Sequence, residues 1–343
     1  MRRLFVLVVV AGGLVLGGGS GAWACGSLVA PNGAVRLVRT TTLATYHDGV
    51  EHYVTNFQFA SPQASFGSII PLPAAPTDVR RGGDWTLQRL EREVTPIQLE
   101  GRPGELAAAA GVQVLQQVRI DALDVTVLRG GGRAVAAWTA QQGFALTPDT
   151  PSVLDFYSRR SPYFLAAKFD ASAAVARGLR AGDGIPVQLT IPVPAPWVPL
   201  RILATGKPAD EVVNADVFLL TDTKPDLITG AGLNTERSEP ASALLLHDLR
   251  SDRAMGWVPA QAWLTFLRLS QPAGHLGYDL AVGVGHRARL ADTGVAASSA
   301  WMLWPHDGDV GWPLGAALAA LVVVTAVAAL GVRRRPTGSA ARG

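Results

Sequence analysis

The feature that most restricts this chain is a run of 20 residues, Pro313 to Val332, without one ionisable side chain. At the helical rise such a run spans ~30 Å, the thickness of a bilayer's hydrocarbon core. Pro313 suits a first helical turn, where a missing N–H costs nothing. Trp304 and Trp312 stand where interfacial aromatics belong, and Arg333-Arg334-Arg335 follows directly. The positive-inside rule places that triplet in the cytoplasm. The opposite end agrees: Met1-Arg2-Arg3 is a basic n-region, Leu4 to Leu16 a mostly apolar h-region, and Ala22-Trp23-Ala24 a small-x-small cleavage site, together a secretory signal. The organisation expected is a signal peptide at 1–24, an extracytoplasmic domain at 25–311, a transmembrane helix at 312–332 and a basic cytoplasmic tail at 333–343.

Charge and cysteine content narrow what the exported part can do. Removing Arg2, Arg3, Arg333, Arg334, Arg335 and Arg342 takes the 30 basic residues to 24 against 27 acidic ones, a formal −3 in place of the whole chain's +3. No basic run remains, so nucleic-acid binding has no electrostatic footprint. The single cysteine, Cys25, excludes a disulfide within the chain, and stability must come from the core. Lipidation of Cys25 needs Leu three places earlier; Ala22 and bulky Trp23 fit ordinary signal peptidase better, and a free Cys25 is expected.

Local patterns read as strands with a few helices. Asp48-Gly49 is a type I′ hairpin signal, because both central residues need positive φ. With that tip, His47 pairs with Val50, Tyr46 with Glu51, Ala44 with Tyr53 and Thr42 with Thr55. Tyr53, Phe57 and Phe59 then share a core face. The opposite face, with Thr45, His47, Val50, His52, Val54, Asn56 and Gln58, reads as a solvated polar surface. Phe66 to Pro76 is a short apolar strand ending in prolines. Asp84 is placed to N-cap a helix over Trp85 to Val94 with Leu87, Leu90 and Val94 on one stripe. Glu100 to Gly111 reads as a surface loop. Val125 to Leu128 is a strand, and Ala134 to Gln142 a helix closed by Gly143, with Phe144 packing behind it. Thr150-Pro151 opens a second helix with Val153, Leu154 and Tyr157 inward. Further strands are expected at Tyr163 to Phe169, Val187 to Ile191, Leu200 to Thr205, Val217 to Thr221, Trp263 to Leu269 and Tyr278 to Val284, with a polar loop from Gly230 to Ser242.

Four segments carry a family resemblance: the signal ending in Ala24-Cys25-Gly26; the hairpin followed by FGSIIPLP; LDVTVL…AAWTAQQGFAL…VLDFYSRRSPYFLAAKF; and AWLTFLRL…YDLAVGV. Together they lie within residues 24 to 284. On them the chain resembles the bacterial exported proteins grouped as domain of unknown function 2330. That resemblance implies an exported, membrane-associated protein and carries no catalytic assignment. The chain departs from it at Ser27, where the family pattern has a second glycine after Cys-Gly, and in the added run Gly130 to Gly132.

Candidate chemistry is sparse. His47 and His52 lie diagonally on one hairpin face, ~7–8 Å apart by Cα, and chelate only if a third ligand arrives. His247-Asp248 has no further ligand at set spacing, and His275, His286 and His306 supply none. Gly130-Gly131-Gly132-Arg133 lies between strand and helix, where a phosphate cradle would sit. It matches neither GxGxxG nor GxxxxGK[ST], and an irregular turn explains it better. GxSxG and SxxK are absent. IIPLPAAP and IPVPAPWVP read as prolines ending edge strands. Trp85, Trp138 and Trp263 fall at inward positions, which leaves Trp197 and Trp257 to test as sugar-stacking faces.

The expected fold is therefore α+β: a strand-rich exported domain with a few helices, plus one C-terminal transmembrane helix. The expected function is a non-enzymatic binding or assembly module at the bacterial cytoplasmic membrane, single pass, with the main domain outside. Its partners are the membrane and an envelope protein or cell-wall ligand. An envelope hydrolase or metal-dependent enzyme with a spatially assembled site is the alternative. No catalytic, metal or cofactor-binding residue is assigned, and no cofactor is implied.

Overall fold

The computed structural model describes residues 27–29, 40–58, 67–94, 113–176, 178, 184–296, 299 and 302–303. The expected signal, Cys25, Phe59, the loop at 100–111, His306 and the run Pro313 to Val332 lie outside them. Among the described residues no helix is long and apolar enough to cross a membrane.

The elements run β1 (Ser27–Val29), β2 (Thr40–His47), β3 (Val50–Gln58), β4 (Gly67–Leu72), β5 (Asp78–Arg81), α1 (Thr86–Val94), β6 (Gln113–Ile120), β7 (Leu123–Arg129), α2 (Gly132–Gln141), α3 (Thr150–Ser158), β8 (Tyr163–Phe169) and α4 (Ala171–Ala176). They continue with β9 (Gly184–Pro192), β10 (Trp197–Val198), a 3-10 turn Arg201–Ala204, β11 (Val212–Thr221), β12 (Asp226–Ile228), β13 (Leu233–Pro240), α5 (Ala243–Ser251), β14 (Trp263–Pro272) and β15 (Leu280–Gly283). Three sheets result, ordered β13-β14-β11-β2-β3-β9-β5, β1-β4-β8-β7-β6 and β10-β15-β12. This is the expected strand-rich α+β architecture.

The hairpin forms in the expected register, with His47 opposite Val50, Ala44 opposite Tyr53 and Thr42 opposite Thr55. Asp48 and Gly49 take φ of 48° and 76° at its tip, the left-handed pair that matches strand twist. Long-range pairing then embeds the hairpin: β2 runs parallel to β11 from Thr40↔Ala215 to Tyr46↔Thr221, and β3 pairs with β9.

Embedding changes the reading of the hairpin's second face. On one side Ala44 and Tyr53 join the large core with Ile69, Leu123, Val125 and Leu165 of the five-stranded sheet. On the other, Leu43 and Val54 pack with Phe218, Phe266, Leu87 and Leu90 of α1, and Leu245, Leu246 and Leu249 of α5. Thr45 is fully buried there. The face expected to be solvated is thus an interior surface toward its middle, because two helices supply the apolar cover that no residue of the hairpin announces. Among the hairpin residues whose side chains are described, only the tip, at His47 to Gly49, is exposed.

Several local expectations are corrected. Leu200 to Thr205 forms a 3-10 turn rather than a strand. Its first three amides, 200 to 202, are bound by side chains from elsewhere in the chain. The polar stretch after Gly230 contains β13, an edge strand paired to β14 with an irregularity between Thr235 and Arg237. Charged, exposed residues are what an edge strand tolerates. Strand β6 and helix α5 had no counterpart in the sequence reading. Trp85, expected inward, is 39% exposed. The start of α1 is capped from afar: the Asp252 carboxylate accepts from the backbone N–H groups of Asp84 and Trp85, at 3.0 Å each, and from the Thr86 hydroxyl at 2.7 Å. The Asp84 carboxylate itself pairs with Arg81.

Candidate functional site

A buried carboxylate braces the backbone beside a concavity among the described residues. Asp279 is fully buried, and one of its oxygens accepts from the Tyr157 hydroxyl at 2.7 Å, the Leu200 N–H at 2.9 Å and the Arg201 N–H at 3.1 Å. Its other oxygen pairs with Arg160 at 2.6 Å. The Tyr157 hydroxyl in turn accepts from the Ile202 N–H at 3.0 Å. Three successive amides, 200 to 202, are thereby held by side chains, which is why this apolar run cannot join a ladder. Burial pushes the Asp279 carboxyl up, opposed by Arg160 and the hydrogen bonds. Burial, then the Asp279 charge, push the Tyr157 phenol well up. Arg160 also donates to the Asp292 carbonyl at 2.5 Å and stacks over Trp197, 4.6 Å from the ring centre.

This hub fixes the backbone at Arg201 and turns its side chain onto Phe156 of α3, with the guanidinium carbon 4.1 Å from the ring centre. Beside it opens a cleft of about 520 Å³. Apolar lining comes from Val153 and Phe156 of α3, Leu276, Val295 and Met302; polar lining comes from Arg201, Thr205, Lys207, Asp149 and Ser299. Lys207 is neutralised by Glu211 at 2.5 Å, and Asp149 accepts from the Gly206 N–H at 2.9 Å. The Thr205 hydroxyl is buried without a partner among the described residues. The Arg201 guanidinium makes no ion pair or hydrogen bond among them. The lining includes no histidine or cysteine, and its polar side chains are Asp149, Arg201, Thr205, Lys207 and Ser299.

The residues singled out from sequence are dispersed. His47 lies on the exposed hairpin tip with Nδ1 2.6 Å from Asp222 and Nε2 3.4 Å from Asp48. Ligand atoms of the three lie within 4.8 Å of one another. The hydrogen bond to Asp222 raises the His47 pKa. Asp222 had no signal in the sequence, since only the β2–β11 pairing brings it there. His52 does not join them: it stacks on Trp257 at 4.0 Å between ring centres, and burial lowers its pKa to about 4. His247 is exposed, and Asp248 is engaged by Arg89 at 2.8 Å. His275 and His286 are exposed and apart from that triad.

The glycine run is a packing device. A Cβ on Gly132 would lie 2.2 Å from the Asp155 amide nitrogen, so glycine lets α2 approach α3, while Arg133 points to solvent at 92% exposure. Trp197 is buried in the hub. Trp257 is half-buried, with one face against His52 and its N–H donated to Gln188 at 3.0 Å. Trp197 presents no open indole face for sugar stacking, and His52 takes one of the two faces of Trp257. Sequence reading also missed Glu51, which is fully buried, accepts from the Trp197 N–H at 3.1 Å and has its pKa raised to about 8 by burial.

Fold and site together define a strand-rich α+β protein with a cleft beside a buried carboxylate hub. By its sequence the chain belongs to the DUF2330 family, described as uncharacterized protein conserved in bacteria, whose model matches residues 20–222. Asp149, Phe156, Arg201, Thr205 and Lys207 lie within that span, whereas Leu276, Asp279 and Val295 lie beyond it. No curated protein matches the chain. Among solved structures it is similar to baculovirus P35, at 8% identity over 71% of this chain and 96% of that one with a TM-score of 0.37. A mutated baculovirus P35 after caspase cleavage matches at 7% identity over 70% and 94% with a TM-score of 0.32. At these scores neither bears on the site.

Proposed function

We propose that this is a membrane-tethered binding protein of the bacterial envelope. In this reading the domain at 25–311 lies outside the cell, the helix at 312–332 crosses once, and the basic tail at 333–343 is cytoplasmic. The signal-like start and the uncharged run before the Arg triplet support the topology. The observation that carries the binding reading is the 520 Å³ cleft, within the ~300–1,000 Å³ usual for small-molecule sites. Its Arg201 is held in place by the Asp279 carboxylate beneath its backbone and by the Phe156 ring.

A thermal-shift screen of the full-length protein in detergent against soluble envelope metabolites, cell-wall fragments and lipids tests it. A ligand at 100 times its Kd adds ~2.7 kcal/mol to the native state. At least one class should raise the Tm, and Ala209→Trp, at an exposed lining position, should remove that shift while leaving the unliganded Tm unchanged. A shift that survives Ala209→Trp places the site elsewhere; no shift with any class removes the binding reading.

A further inference from the structure

We propose that the cleft takes an anion with an apolar body: a carboxylate or phosphate-type head on Arg201 and Thr205, and a hydrocarbon or aromatic part against Val153, Leu276, Val295 and Met302. The inference rests on the binding reading above and names its ligand class.

Charge compensation comes first. Of the three ionised groups lining the cleft, Lys207 is neutralised by Glu211, whereas Asp149 keeps its negative charge and accepts from the Gly206 amide. Arg201 is left with a full positive charge and no anionic partner among the described residues. A guanidinium presents its donors as a planar fork that matches two oxygens of a carboxylate or phosphate. Here the fork is oriented before any ligand arrives. The Phe156 ring lies 4.1 Å from its carbon, and the backbone beneath is bonded to Asp279.

The second observation is independent. Thr205 is only 8% exposed, lines the same cleft, and its hydroxyl has no partner among the described residues. A buried hydroxyl without a partner is costly, and native structures satisfy such groups with protein, water or ligand. It sits four residues after Arg201 at the end of the 3-10 turn, and in this proposal the same anionic head meets it after a small side-chain rotation. One uncompensated cation suits a single anionic head; a polyphosphate would bring charge that nothing else in the lining neutralises. The remaining wall is largely aliphatic, and burying an apolar body there removes water from surface that otherwise gains nothing.

Such a ligand could reach the cleft free in solution or from a bilayer, and two arms separate these sources. Binding to the full-length protein in detergent is measured by calorimetry with octanoate, octanol and acetate, and the Tm of the protein reconstituted in neutral phosphatidylcholine vesicles is measured with and without palmitate in the bilayer. The expected result is octanoate binding at least tenfold tighter than either octanol or acetate. Arg201→Gln should weaken octanoate at least tenfold and leave octanol unchanged; Arg201→Lys, which keeps charge without the fork, should fall between; Thr205→Val should cost octanoate severalfold. A palmitate-dependent rise in Tm that Arg201→Gln abolishes identifies the bilayer as the source; octanoate binding without it identifies free acids. If octanol binds as tightly as octanoate, or Arg201→Gln and Arg201→Lys leave octanoate unchanged, the anion assignment falls while the cleft remains a binding site. If octanoate fails but a molecule from the thermal-shift screen binds in a manner blocked by Ala209→Trp, the assignment again falls alone. Absence of every ligand overturns both.

Discussion

Glu51 shows at the scale of one residue how a fold can tax a side chain. Its carboxyl is fully buried with a single accepted hydrogen bond, from the Trp197 amide, and its pKa stands raised to about 8 from 4.5. The folded protein therefore binds this proton more tightly than the unfolded chain does. The stability this contributes is full below the unfolded pKa near 4.5 and is lost as pH rises toward about 8, the folded state carrying more protons throughout that window. By pH 7 the loss is on the order of 3 kcal/mol. Glu51→Gln keeps an acceptor for the amide and cannot ionise. Urea unfolding at pH 5 and pH 7.5 should show wild-type stability falling and the variant's nearly level; parallel curves would refute the assignment. No spacing rule marks Glu51, because alternation in the hairpin says which face it shares with Tyr53 and nothing about what covers that face.

At the scale of elements, partners far along the chain decided what local propensity left open. Helix α1 begins near the expected residue and buries the expected Leu87 and Leu90. Its amides are nevertheless satisfied by Asp252, on a turn after α5. Asp252→Ala should cost about 2 kcal/mol or more, since it removes a cap and leaves a buried hydroxyl unpaired. Hydrogen exchange at the 84 and 85 amides should accelerate selectively. Unchanged protection there would mean that the cap is dispensable. Helices α2 and α3 and strand β8 formed where the sequence placed them, because each has its own start or stop residue and its own apolar period. The run Leu200 to Thr205 has the composition of a strand and became a turn because Asp279 and Tyr157 take its amides. The polar β13 became a strand because β14 offered a free edge.

For the whole molecule, the topology read from the two chain ends is open to direct test. Cys25 is the only cysteine, so a membrane-impermeant maleimide should label it on intact spheroplasts. A chain carrying Cys25→Ser and Ser339→Cys should stay unlabelled until the membrane is opened. Labelling of Ser339→Cys from outside would invert the topology, and an intact mass heavier by a diacylglyceryl group would show that Cys25 is lipidated. The sequence by itself determined what depends on neighbours a few residues apart: the hairpin register at Asp48-Gly49, the helix periods and stops, the strand-rich class, and the family. Only the tertiary structure decided the cover over the hairpin's second face, the burial of Glu51, the Asp279 hub and the cleft at Arg201. These rest on groups more than a hundred residues apart, such as Tyr157 and Asp279, and their energies come from burial and from hydrogen bonds that exist only once distant segments have met.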